Sequence, residues 1–148
     1  MSQHEATLSW SRDGRGFGYD EYSRDHTWTF DGGVEVAATA APAYRGNPAR
    51  VDPEEAFVAA VASCHMLTFL AIAARKRLVV DRYDDTATGF MEKNAEGKLA
   101  ITRVVLRPRI VFAGTAPAAD ALARLHESAH ENCFIASSVR SEIVVETT

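Results

Sequence analysis

Asp52-Pro53-Glu54-Glu55-Ala56-Phe57-Val58-Ala59-Ala60-Val61-Ala62-Ser63-Cys64-His65-Met66-Leu67-Thr68-Phe69-Leu70 reads as the start and body of one long helix. Aspartate caps the first free N–H groups, proline suits the first helical position, and two carboxylates sit at the positive end of the macrodipole. The apolar run continues to Ala74, and Arg75-Lys76-Arg77 closes it with cations at the negative end. The pattern predicts a helix from Pro53 to about Lys76. Counting by threes and fours from Cys64 gives Phe57, Ala60, Val61, Leu67, Thr68 and Ala71, so the cysteine is expected to face inward. Ala56, Ala59, Ala60 and Ala62 leave room for a sheet, or a second copy of the helix, to approach closely.

Strand patterns flank this helix on both sides. Ala6 to Trp10 alternates weakly, and His26-Thr27-Trp28-Thr29-Phe30, Asp31-Gly32-Gly33 and Val34-Glu35-Val36 read as a hairpin. Tyr44 to Val51, with Gly46 and Pro48, reads as a loop. Beyond the helix, Leu78 to Glu92 is expected as a strand, Asn94-Ala95-Glu96-Gly97 as a turn, and Lys98 to Phe112 as a second strand. Pro117 to His130 carries Leu122, Leu125 and Ala129 on one side of a second helix, and Val139 to Glu146 closes the chain as a strand. That order is an α+β fold, expected to form a single domain over residues 1–148.

At 148 residues the chain is long enough for one domain with its own core. Sixteen basic and 20 acidic residues, spread along the chain, leave no basic stripe for a phosphate backbone, so no nucleic-acid partner is expected. The Ala56–Ala74 run is interrupted by Ser63, His65 and Thr68 and reads as a buried helix, with no membrane partner expected. Met1-Ser2-Gln3-His4-Glu5 lacks the pattern of an export signal, which makes the reducing cytoplasm the expected compartment.

The chain has two cysteines, Cys64 and Cys133, each in an apolar segment. One reading treats them as small core hydrophobes. The other brings them together as a redox pair, one sulfur being oxidised and the other trapping it. A thiolate in apolar surroundings needs a cation or aimed donors, and Arg24 and Arg45 qualify by position. An arginine held in an apolar pocket needs a carboxylate, for which Glu54 is the candidate, although helix-dipole compensation explains the same residue. Glu54 and Cys64 lie roughly 15 Å apart at ~1.5 Å rise per residue. A shared site therefore needs a bridging arginine or a glutamate from a second chain. His65 points about 100° around the helix from Cys64 and reads as a packing or interface residue. His126 and His130 stand one turn apart ahead of Cys133, a weak metal pattern that reads as surface histidines, so no metal is expected.

These residues resemble the OsmC/Ohr family of thiol-dependent peroxidases. The likeness is carried by Asp52-Pro53-Glu54-Glu55-Ala56-Phe57 leading through Ala59-Ala60 to Ser63-Cys64, and by the late Cys133 followed by Ser137. The resemblance implies antiparallel sheets packed around a long central helix in an intertwined homodimer that reduces organic hydroperoxides. It implies Cys64 as the attacking thiolate that becomes a sulfenic acid, Cys133 as the thiol that resolves it, and Glu54 as the carboxylate orienting an arginine. Arg24 fits one family placement of that arginine and Arg45 another, Arg24 being preferred. No metal, flavin or other cofactor is implied, and the electrons come from an external dithiol such as a lipoyl protein. His65 after Cys64 and Phe134 after Cys133 depart from the common pattern and mark a separate branch. The alternative is a non-catalytic redox sensor or small-molecule binder on the same fold.

Overall fold

The computed structural model describes residues 1–147, in two compact units, Met1–Ala56 and Phe57–Thr148. In the first, alternation and turn residues produce one antiparallel sheet in the order β1 (Ala6–Ser9), β2 (His26–Phe30), β3 (Glu35–Ala38). The β2–β3 hairpin places Trp28 opposite Val36 and turns at Gly33, whose φ of 79° suits a residue without a side chain. Past β3 the chain folds back so that Val51 pairs with Ala38 in a parallel bridge. Gly46 permits this turn, since a Cβ there would run into the Ala40 carbonyl.

Helix α1 (Pro53–Arg75) starts as its sequence predicts. The Glu55 N–H donates to Asp52 Oδ1 at 2.8 Å, and the Asp52 N–H donates to Glu55 Oε2 at 3.1 Å, a reciprocal capping box. Its first four residues end the first unit and the rest run through the second. The stripe it buries is Val61, His65, Phe69 and Ala73, one position beyond Cys64. The inward face expected for Cys64 is therefore corrected: the cysteine is half-buried, and Leu67 is 60% exposed. A helix apolar on nearly every side gives its 3.6-residue period little to choose between adjacent stripes.

The two long strands expected after α1 each break in two. Leu78–Glu92 becomes β4 (Val80–Asp84) and the first part of β5 (Thr88–Lys93), while Lys98–Phe112 becomes β6 (Leu99–Leu106) and β7 (Arg109–Phe112). Arg107 and Pro108 separate the latter pair: Pro108 has no N–H for a ladder, and the Arg107 N–H goes to the Asp85 carboxylate at 2.7 Å. One sheet pairs β4 with β7 antiparallel, and another has the order β5-β6-β8, β8 being Glu142–Val145. Here β6 and β8 run parallel, beside the antiparallel pairing of β5 with β6.

Two dry clusters hold this unit together. Phe69 and Ala73 pack with Leu125 and Ala129 of α2 (Ala119–Glu131), and Val61 packs with Val104 and Leu106 of β6. Gly89 on β5 admits Val58 of α1, whose methyl occupies the space a Cβ would fill. Helix α1 is long and apolar enough to cross a membrane, but its buried stripe makes it the core helix of this unit.

Candidate active site

After α2 the chain turns at Asn132 into Cys133, Phe134 and Ile135 and a short 3-10 turn, Ala136–Ser138. This brings Cys133 near enough to Cys64 for the two sulfurs to influence each other, and both are free thiols. Burial pushes the Cys64 thiol up. The Cys133 thiol, the N–H groups of Ile135 and Phe134 and the Thr68 hydroxyl together outweigh that effect, so its pKa falls below the ordinary 9.0. Thr68 also donates to the Cys64 carbonyl oxygen at 2.8 Å, and its single proton serves one acceptor at a time.

Cys133 shows the opposite balance. Burial, then its hydrogen bond to Cys64, raise its pKa, while the Ala136 N–H donates to Sγ at 3.4 Å and works the other way. It is 1% exposed, whereas Cys64 is half-buried. The more accessible sulfur thus has the lowered pKa and the buried one the raised. Thr68, four residues after Cys64, was legible from helical spacing. The amides of Phe134 and Ile135 were not, because loop geometry aims them.

Arg24, Arg45 and Glu54 lie in the first unit. Arg24 and Glu54 line one hollow of about 580 Å³, walled by Leu8, Trp10, Phe17 and Tyr22. That volume lies within the range of small-molecule sites. The Arg24 guanidinium stacks 3.7 Å from the Tyr22 ring centroid and donates to the carbonyls of Tyr22 and Tyr19 at 2.6 and 2.7 Å. Arg45 is paired instead with Asp20, at 2.6 Å, on the surface. Glu54 keeps one buried oxygen without a partner, and among the described residues no ion pair joins it to either arginine. The aromatic walls could have been suspected from the density of Trp10, Phe17, Tyr19 and Tyr22 before β2.

His65 packs inside and His130 is exposed, as expected, but His126 is not on the surface. His126 is 3% exposed, and its ring lies edge to edge with that of buried His65, nearly in one plane. Among the described residues no three His, Cys, Asp or Glu side chains gather to hold a metal ion.

Comparison with known proteins matches this arrangement to one family. No curated protein sequence matches the chain. Among solved structures, an OsmC-like protein of unknown function from Vibrio cholerae is 51% identical, with full coverage of both chains and a TM-score of 0.95. Organic hydroperoxide resistance proteins from Elizabethkingia anophelis (19% identical, TM-score 0.74, 100% of this chain and 95% of that one) and Bacillus subtilis (18%, 0.71, 99% and 98%) share the fold. With residues 46–148 matching the model for OsmC-like protein, the chain belongs to the OsmC-like family.

Proposed function

We propose that the protein is a cysteine-based peroxidase that reduces organic hydroperoxides. The observation carrying this reading is the asymmetry of the cysteine pair: an accessible sulfur with a lowered pKa beside a buried one with a raised pKa. The Cys64 thiolate attacks the peroxide O–O bond; an S–O bond forms, the O–O bond breaks, and the departing alkoxide takes a proton to leave as an alcohol. The sulfur is left as a sulfenic acid. Cys133 then attacks that sulfur, an S–S bond forms, and water leaves. An external dithiol, such as a lipoyl protein, reduces the disulfide and restores both thiols.

Arg24 is assigned to polarising the peroxide, with Glu54 as its carboxylate and Arg45 as the less favoured cation. The apolar walls around Arg24 favour an organic substituent over hydrogen peroxide. The working form is taken as a homodimer in the cytoplasm, each chain a single domain, needing no bound cofactor.

Consumption of cumene hydroperoxide with dihydrolipoamide as reductant, compared between the native chain and Cys64→Ser, tests the reading. Turnover in the native chain and none in the variant supports it. Equal turnover removes Cys64 from the mechanism, and no turnover in either form with several dithiols assigns the fold to binding or redox sensing.

A further inference from the structure

Each histidine of the buried pair belongs to a helix serving one cysteine. His65 follows Cys64 directly on α1, and His126 lies on α2, which ends two residues before Cys133. His65 Nε2 and His126 Nδ1 are 3.0 Å apart, the rings lie 8° from parallel with centroids at 5.3 Å, and Phe69 stacks on His126 at 4.6 Å. Among the described residues this is the one side-chain hydrogen bond between α1 and α2. The outer nitrogens, His65 Nδ1 and His126 Nε2, are buried without partners.

Two unpaired buried nitrogens are costly, and a pair of apolar rings of similar shape would pack there without that penalty. The hydrogen bond supplies what apolar rings do not, namely direction. One ring donates and the other accepts in a nearly common plane, which fixes the rotation and slide of α1 against α2 more tightly than apolar contact alone.

We propose that His65 and His126 are positioning residues for the cysteine pair: their bond holds α1 and α2 in the register that keeps the Cys64 and Cys133 sulfurs aligned for disulfide closure. This rests on the reading of the cysteines as a redox pair, but not on a peroxide as the oxidant.

The experiment is equilibration of the full chain in glutathione buffer at neutral pH. Two protein thiols and one glutathione disulfide give one protein disulfide and two glutathione thiols, the two electrons passing to glutathione. Trapping and mass measurement give the equilibrium constant, the effective concentration of one thiol at the other. His126→Phe and His65→Phe are each expected to lower it about tenfold or more, the scale on which lost alignment acts in thiol exchange. His126→Asn, whose Oδ1 stands near the position of Nδ1, is expected to restore most of it. Folded Phe variants with the native constant overturn the proposal, as does an Asn variant no better than Phe.

If the Phe variants do not fold, the unsubstituted protein decides. Imidazole ¹⁵N signals of His65 and His126 are expected to shift between dithiol and disulfide forms, and identical signals overturn the coupling. The failures are distinguishable. No disulfide at all in the native chain removes the redox reading and this inference together, whereas normal closure without peroxide turnover removes the peroxidase alone.

Discussion

The two units handle their polar groups in opposite ways. In the first, the candidate cations are held by exposed or half-buried groups: Arg24 by the nearby carbonyls of Tyr22 and Tyr19, and Arg45 by Asp20 on the surface. In the second, the candidate-site groups meet across the chain, as in His65 with His126, 61 residues apart, and Cys64 with Cys133. Local, solvent-screened contacts cost little to exchange, whereas contacts set in dry clusters move only if the core moves. The comparison sets thiols held by packing against arginines held by carbonyls, aromatic faces and an exposed carboxylate.

Phe69→Ala is the strongest way to break that contrast. Phe69 is fully buried, packs against Tyr83, and stacks on His126. Its truncation removes the apolar support of both α2 and the histidine pair. The expected loss is about 3–5 kcal/mol of stability, read by urea unfolding. A loss below about 1 kcal/mol would mean that the cluster does not fix the second unit.

Arg24→Met tests the opposite side. If its carbonyl and tyrosine contacts are a resting arrangement, the variant should unfold at nearly the native denaturant concentration. Its kcat/KM for cumene hydroperoxide should nonetheless fall about 100-fold, the scale of removing one charge-stabilising donor. Unchanged turnover would leave Arg24 as packing for Tyr19 and Tyr22.

Acid acts on the second unit through the histidine pair. Burial first, then the charges of His126 and His130, hold His65 down to about 4, and burial holds His126 to about 4, against 6.5 when unfolded. Both pKa values are depressed, so between these limits the unfolded chain binds more protons than the folded one. Stability is therefore full above pH 6.5, declines as pH falls toward 4, and levels off below. The pair should contribute several kcal/mol of that decline, at about 1.4 kcal/mol per pKa unit for each ring, and the double variant His65→Phe with His126→Phe should flatten it. An unchanged acid slope in the double variant would assign the loss to other groups.

The same contrast decides what could be read in advance. The start of α1 was legible because Asp52, Pro53 and Glu55 act on neighbouring backbone groups, and the β2–β3 hairpin because its turn lies within a few residues. The resolving role of Cys133 came by resemblance, while the residue itself was legible as a candidate partner because the chain has only two cysteines. The parallel pairing of β8 with β6 was not, since nothing in Glu142–Val145 encodes direction, and neither was the burial of His126, which depends on α1 presenting Val61, His65, Phe69 and Ala73 instead of the adjacent stripe. Breaks at Asp85 and Arg107 were hidden for the same reason: the carboxylate that takes the Arg107 amide lies 22 residues away. Of the candidate site, residue identities could be read, but the asymmetry between the thiols could not, because it comes from the amides of Phe134 and Ile135 and from unequal burial.

Arg45→Met should have the smallest effect and sharpens the comparison most finely. Arg45 and Asp20 form a close pair, but their side chains are 53% and 71% exposed, and an exposed ion pair contributes about 0–1 kcal/mol. Arg45 also adopts a positive φ of 65°, a backbone feature that methionine must reproduce, so Arg45→Lys serves as the control for charge at equal strain. Thermal unfolding of Arg45→Met should shift by no more than a few degrees, and kcat/KM should remain within about twofold of native, as expected of a surface group. A loss matching that of Arg24→Met, recovered in Arg45→Lys, would transfer the peroxide-polarising role to Arg45 and leave Arg24 as the structural cation of the aromatic cluster.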